Sequence, residues 1–153
     1  MSQDNFLFAA SGVVVKDNKV LLVRHTYGGA KDRLLIPGGF CKAGELPEEA
    51  AVREVLEETG VTAKVKGLLA VRFSRTNWYP VFVMEYVSGI PVSDGAENSE
   101  ALFLDIDEAL SRNDVTEMTT RCLLMYKKGR ENSLLHYPEY GAEKGYSLYG
   151  TEM

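Results

Sequence analysis

The chain has 153 residues, the size of one domain able to bury a proper core, and its 45% hydrophobic and 25% charged residues are ordinary for a soluble globular protein. A net charge of −5 argues against a nucleic-acid polymer as the main partner, because phosphate backbones are met by basic clusters. No apolar run approaches the ~20 residues that span a bilayer, which argues against a membrane partner. Met1 to Asn5 has neither the basic nor the apolar region of a signal peptide, and Cys41 and Cys122 read as reduced thiols, so a cytoplasmic protein is expected.

In chain order, Phe6 to Val15 is apolar and β-branched, and Val20 to His25 repeats the pattern after the turn Lys16-Asp17-Asn18-Lys19. The pair predicts a hairpin. Thr26 to Arg33 is a polar loop, and Leu34 to Ile36 is a short strand that leads into Pro37-Gly38-Gly39. Pro37 to Gly44 holds three glycines and a proline, and predicts a loop that approaches a ligand closely. A helix is expected from about Pro47 to Thr59, with the proline in its first turn and Gly60 as a left-handed cap. Thr62 to Ser74 and Trp78 to Val87 predict a second hairpin about Arg75-Thr76-Asn77. Ser88 to Ser99 reads as a loop, Ala101 to Leu104 as a strand, Asp105 to Leu110 as a short helix, and about Val115 to Lys128 as a longer one. This order fits an α+β layered fold. We divide the chain into a domain over 1–129 and a tyrosine- and glycine-rich extension over 130–153, which is expected to be a lid, an interface or a tail, with a slight preference for the first two.

Glu54, Glu57 and Glu58 stand at i, i+3 and i+4 of the central helix, and so share one face. Ala51, Val52, Val55 and Leu56 form the apolar side. Three like charges on adjacent turns repel by about 0.2–0.5 kcal/mol per pair on a solvated helix, and no lysine is interspersed. A hard divalent cation, Mg²⁺ or Mn²⁺, would relieve the repulsion and keep positions for water and substrate phosphate. A plain solvated acidic face is the bland alternative, and for the short Glu-x-x-Glu-Glu alone it is the commoner case.

The full spacing is more specific. Gly39, five residues, Glu45, seven residues, Arg53-Glu54-Val55, one residue, Glu57-Glu58, one residue and Gly60-Val61 resembles the Nudix box at every constrained position, and Pro37 to Gly39 resembles its lead-in. The resemblance implies an α/β/α sandwich with a mixed sheet, and divalent-metal-dependent hydrolysis of a nucleoside diphosphate linked to a further group. It implies Glu54, Glu57, Glu58 and the Gly39 carbonyl as metal ligands, and a further glutamate from a loop before an aromatic strand. Glu97 is preferred to Glu100 for that position. We expect Arg53 to pair with Glu45, tying loop to helix.

For the substrate, Arg24, Arg72 and Arg75 are candidates for phosphate, Trp78, Tyr79 and Tyr27 for stacking on a base, and Gly38 for close backbone approach. His25 reads as structural or exposed. A small nucleotide such as ADP-ribose or another sugar nucleotide is the leading substrate class. Nucleoside triphosphates, dinucleoside polyphosphates and a catalytically silent nucleotide-binding module are the alternatives, and a homodimer is a family-based guess.

Overall fold

In the computed structural model, residues 7–129 and 133–153 are described, so the parts of the sequence reading that fall on Met1 to Phe6 and on Arg130 lie outside them. Strand β1 (Leu7–Lys16) turns at Asp17 and Asn18, both at positive φ, into β2 (Lys19–His25). Two successive left-handed residues make the tight turn whose twist matches that of paired strands. Next come β3 (Leu34–Leu35), β4 (Gly38–Phe40) and α1 (Pro47–Thr59). The hairpin β5 (Thr62–Phe73) and β6 (Asn77–Ser88) is followed by β7 (Asn98–Asp105), α2 (Ile106–Ser111) and α3 (Glu117–Gly129). The chain closes with β8 (Leu134–His136) and β9 (Tyr149–Gly150).

The sheet runs β3-β2-β1-β6-β5-β8-β9, with β4 on β1 and β7 on β2. It is mixed: β1 and β6 are parallel, and the other pairs are antiparallel. Both faces are covered, so β1 and β2 are nearly continuous apolar runs instead of alternating ones. Val13, Val20 and Leu22 face one core with α2 and α3, through Ile106, Ala109, Cys122 and Leu123. Ala10, Val14 and Leu21 face the other core, under Ala50, Ala51 and Val55 of α1. The result is an α/β/α sandwich.

Two expectations need correction. Pro37 to Gly44 is not all loop, because Gly38–Phe40 pairs with β1 at Ser11, Ala10 and Ala9. A side chain at Gly38 would sit 2.5 Å from the Ala10 carbonyl oxygen, so these glycines permit a close strand contact rather than a loose turn. On α1, Leu56 is not part of the buried stripe; it is exposed, and Glu58 is turned inward instead.

The described part of the C-terminal extension joins the sheet and lines none of the cavity discussed below. β8 lies on β5 at Gly67 and Leu68, where a Cβ on Gly67 would meet the Leu134 carbonyl oxygen at 2.6 Å. The Tyr149 ring stacks on His136, with centroids 4.7 Å apart, and tilts against Phe82 at 5.5 Å. Ser147 Oγ donates to Glu48 Oε1 at 3.2 Å, and His136 Nε2 lies 3.7 Å from Glu48 Oε2. The segment therefore covers the first turn of α1. Ending the chain at Gly129 exposes this turn and the β5 edge, and is expected to lower the thermal midpoint by roughly 5–15 °C. An unchanged calorimetric midpoint would contradict that packing.

Candidate active site

The first turn of α1 holds Pro47, and the Leu46 N–H donates to Glu49 Oε1 at 2.9 Å. Gly60, at φ 78°, ends the helix by donating its N–H to the Leu56 carbonyl. Between these ends the three glutamates are graded from core to solvent. Glu58 is 3% exposed and Glu57 has a side chain 53% exposed, with Glu54 between them. β4 lies directly on this face. The Gly38 N–H donates to Glu58 Oε2 at 3.0 Å, and a Cβ on Gly39 would be 2.5 Å from the Glu54 carboxyl carbon.

Arg53 joins these groups. Its Nε donates to Glu45 Oε2 at 2.7 Å and its Nη2 to Glu45 Oε1 at 2.9 Å, a bidentate pair. Nη2 also donates to the Phe40 carbonyl at 3.0 Å, so the guanidinium ties the loop to the helix as expected. Nη1 reaches Glu54 Oε1 at 2.8 Å and Glu57 Oε2 at 3.0 Å. The hydrogen bonds to Arg53 pull the Glu45 carboxyl down to about 2 and hold the guanidinium charged.

Among the described residues, no three acidic or other ligating side chains converge closely enough, as they stand, to grip an ion. The Arg53 cation occupies the space between Glu54 and Glu57 and neutralises them. The donor chemistry still fits a hard divalent ion: carboxylate oxygens beside the Gly39 backbone, with a side chain at Glu57 exposed enough to reorient. Burial pushes the Glu58 carboxyl up to about 8; the Gly38 N–H opposes this, and the Glu54, Glu97 and Asp94 charges add to it.

The native state keeps a proton on Glu58 that the unfolded chain releases near 4.5, so this contribution to stability is complete below 4.5 and lost as pH rises through about 8. Without divalent ions, the thermal midpoint should fall over that window, and Glu58→Gln should flatten the profile. Superimposable profiles for the two proteins would contradict the assignment.

Glu100 and Arg24 are committed elsewhere. Arg24 Nε donates to Glu100 Oε2 at 3.0 Å, Nη2 to Asp114 Oδ2 at 3.2 Å and Nη1 to the Asp32 carbonyl at 2.8 Å. The charged partner that Arg24 requires is thus protein carboxylate, and Arg24 is not among the residues that line the cavity described below. Glu97 is exposed, and its charge acts on Glu58, His25 and Tyr27. Beside it, the buried Asn98 donates to the Glu58 carbonyl at 2.9 Å, which fixes the loop against the end of α1.

A cavity of about 550 Å³ opens beside β4, lined by Gly38, Gly39, Arg72, Tyr79, His25 and Tyr27 among others. Of the seven residues proposed for substrate, it gathers Gly38, Tyr27, Arg72 and Tyr79. The Arg72 guanidinium lies 4.7 Å over the Tyr79 ring and its Nη2 donates to Asn77 Oδ1 at 3.3 Å. Arg75 and Trp78 do not line it. Trp78 instead packs edge-on to Phe8 and Phe73 in a separate apolar groove, because Phe73 and Trp78 are register partners at the hairpin end.

A family model described as the NUDIX domain matches residues 7–122. The chain belongs to the Nudix family. An ADP-ribose pyrophosphatase of Methanocaldococcus jannaschii is 39% identical over 106 residues, covering 65% of this chain and 62% of that protein. The match thus spans less than two-thirds of that relative, as it does for one from Bacillus subtilis, where the share is 49%. A solved Nudix hydrolase from Nitrosomonas europaea superposes with a TM-score of 0.74 at 24% identity, over 86% of this chain and 74% of that one. A solved UDP-X diphosphatase does so with 0.64 at 29% identity, over 85% and 67%.

Within the Nudix box, sequence reading located Glu45, Arg53 and the three helix glutamates. It missed Asp94, whose Oδ1 accepts the Ala96 and Asn98 N–H groups at 2.9 and 3.0 Å while its charge acts on Glu58. The Asp-Gly turn at Asp94-Gly95 was the available signal. It also missed Thr119, buried with Oγ1 accepting the Ile36 N–H at 3.1 Å beside the cavity. A threonine inside a helix carries no such signal.

Proposed function

We propose that the protein hydrolyses the pyrophosphate link of a nucleoside diphosphate joined to a second, uncharged moiety, with ADP-ribose or a sugar nucleotide as the substrate class. The observation that carries this reading is the position of β4: its glycines touch the box carboxylates and also line the cavity. A linkage lying along Gly38 and Gly39 would have its phosphates beside Glu54 and Glu58 and its organic ends in the cavity. Water adds to one phosphorus and the bond to the bridging oxygen breaks, leaving two monophosphates. Glu54, Glu57 and Glu58, with the Gly39 carbonyl and Glu97, are the groups that would hold Mg²⁺ or Mn²⁺. Such an ion offsets charge on the phosphate oxygens when bound. Arg53 acts through the carboxylates, by fixing Glu45 and Glu54 relative to β4.

Charge favours this class over triphosphates. Arg72 is the one arginine or lysine among the described lining residues, and burial lowers His25, keeping its ring neutral. A nucleoside triphosphate carries more negative charge than a doubly substituted pyrophosphate, and one cation counters it poorly. The names of the Methanocaldococcus jannaschii and UDP-X relatives point the same way. Turnover with Mg²⁺ on a panel of ADP-ribose, UDP-sugars and nucleoside triphosphates, with products separated by chromatography, tests the reading. Two monophosphates from a diphosphate-linked substrate are expected. Faster release of pyrophosphate from triphosphates would overturn it.

A further inference from the structure

Two planar stations border the cavity. On one, the His25 and Tyr27 rings are stacked, 5.2 Å between centroids and 14° from parallel. On the other, Arg72 lies over Tyr79. We infer that Tyr27, backed by His25, is the platform on which the nucleobase stacks, and that Arg72 and Tyr79 face the other end of the substrate. The assignment rests on the pyrophosphohydrolase reading above and adds the direction in which the substrate lies.

Charge decides the direction. Tyr27 lines the cavity and directly follows Thr26, whose backbone N–H donates to the Glu97 carbonyl at 3.1 Å, so this end of the cavity borders the acidic loop that carries Asp94 and Glu97. With the pyrophosphate held at the box carboxylates by an ion, a further anionic group beside this loop would be repelled, whereas a neutral base is not. Arg72 offers the opposite environment, suited to hydroxyl or phosphate oxygens. The Tyr27 ring is 52% exposed, so its outer face is available while its inner face rests on His25.

The platform is preorganised. The His25 backbone N–H donates to the Arg33 carbonyl at 3.2 Å, and the His25 carbonyl accepts the Asp32 N–H at 2.9 Å. Thr26, between the two residues in sequence, donates its backbone N–H to the Glu97 carbonyl at 3.1 Å and its hydroxyl to the Ala96 carbonyl at 2.9 Å. These bonds fix the backbone that carries both rings relative to the loop that carries Glu97. Stacking on a rigid ring costs little ordering entropy at binding.

Two variants and two readouts test the assignment. Tyr27→Ala should raise KM for the diphosphate-linked substrate, and the calorimetric Kd for adenosine monophosphate without metal, by roughly 10- to 100-fold. kcat should fall far less, as befits a contact made equally in ground and transition states. Tyr27→Phe, which keeps the ring and removes the hydroxyl, should restore both values to within about threefold of the wild type. Unchanged KM and Kd in Tyr27→Ala would overturn the proposal, as would a loss confined to kcat, which would move Tyr27 to the chemical step. If wild-type protein binds the monophosphate but turns nothing over, the hydrolytic reading fails, and the Kd comparison still decides the platform.

Discussion

Alanine in place of Gly39 is expected to lower kcat/KM by roughly 10²–10³-fold, comparable to removing one group that stabilises the transition state. The added Cβ would lie 2.5 Å from the Glu54 carboxyl carbon and 2.7 Å from both of its oxygens, inside any real contact distance. Glu54 must then leave β4, and with it the 2.8 Å hydrogen bond from Arg53. Glu54 lies at the edge of the core and no backbone strain is introduced, so the thermal midpoint should shift little. Steady-state kinetics across a Mg²⁺ series, paired with calorimetry, checks both statements. Wild-type turnover in this variant would mean that Glu54 need not sit against the strand.

The second large effect is at Arg53. Its guanidinium holds Glu45 through two hydrogen bonds and reaches Glu54, Glu57 and the Phe40 carbonyl as well. Arg53→Ala leaves the helix glutamates in place and removes what orients them. A loss of about 10–100-fold in turnover is expected, typical of a residue that positions ligands. Arg53→Lys should recover little, because an ammonium cannot reproduce the planar fork on Glu45 while also reaching Glu54. Full activity in the lysine variant would reduce Arg53 to a mere countercharge.

The helix α1 and its carboxylates were legible from sequence because proline, spacing and the terminal glycine are local signals. The rotation of that helix was not. Periodicity defines a face but not how it lies on the sheet, so Leu56 was expected inside, and it is Glu58 that is buried there. β4 was hidden because Gly-Gly reads as a loop, while here it lets two strands approach. Arg24 illustrates a nonlocal failure. An arginine in an apolar strand does need an anion, but Glu100 and Asp114 supply it from distant parts of the chain. β8 and β9 are only three and two residues long, too short for any periodicity to register.

The box carboxylates as a divalent-ion site for pyrophosphate hydrolysis form the central claim. Calorimetric titration of Mg²⁺ into wild type and into a Glu57→Gln, Glu58→Gln double variant, with turnover on ADP-ribose measured in parallel, tests it most directly. Saturable binding and release of two monophosphates by the wild type, both lost in the double variant while its fold persists, is the expected result. Equal ion binding by the two proteins, or turnover that survives the double substitution, would contradict it.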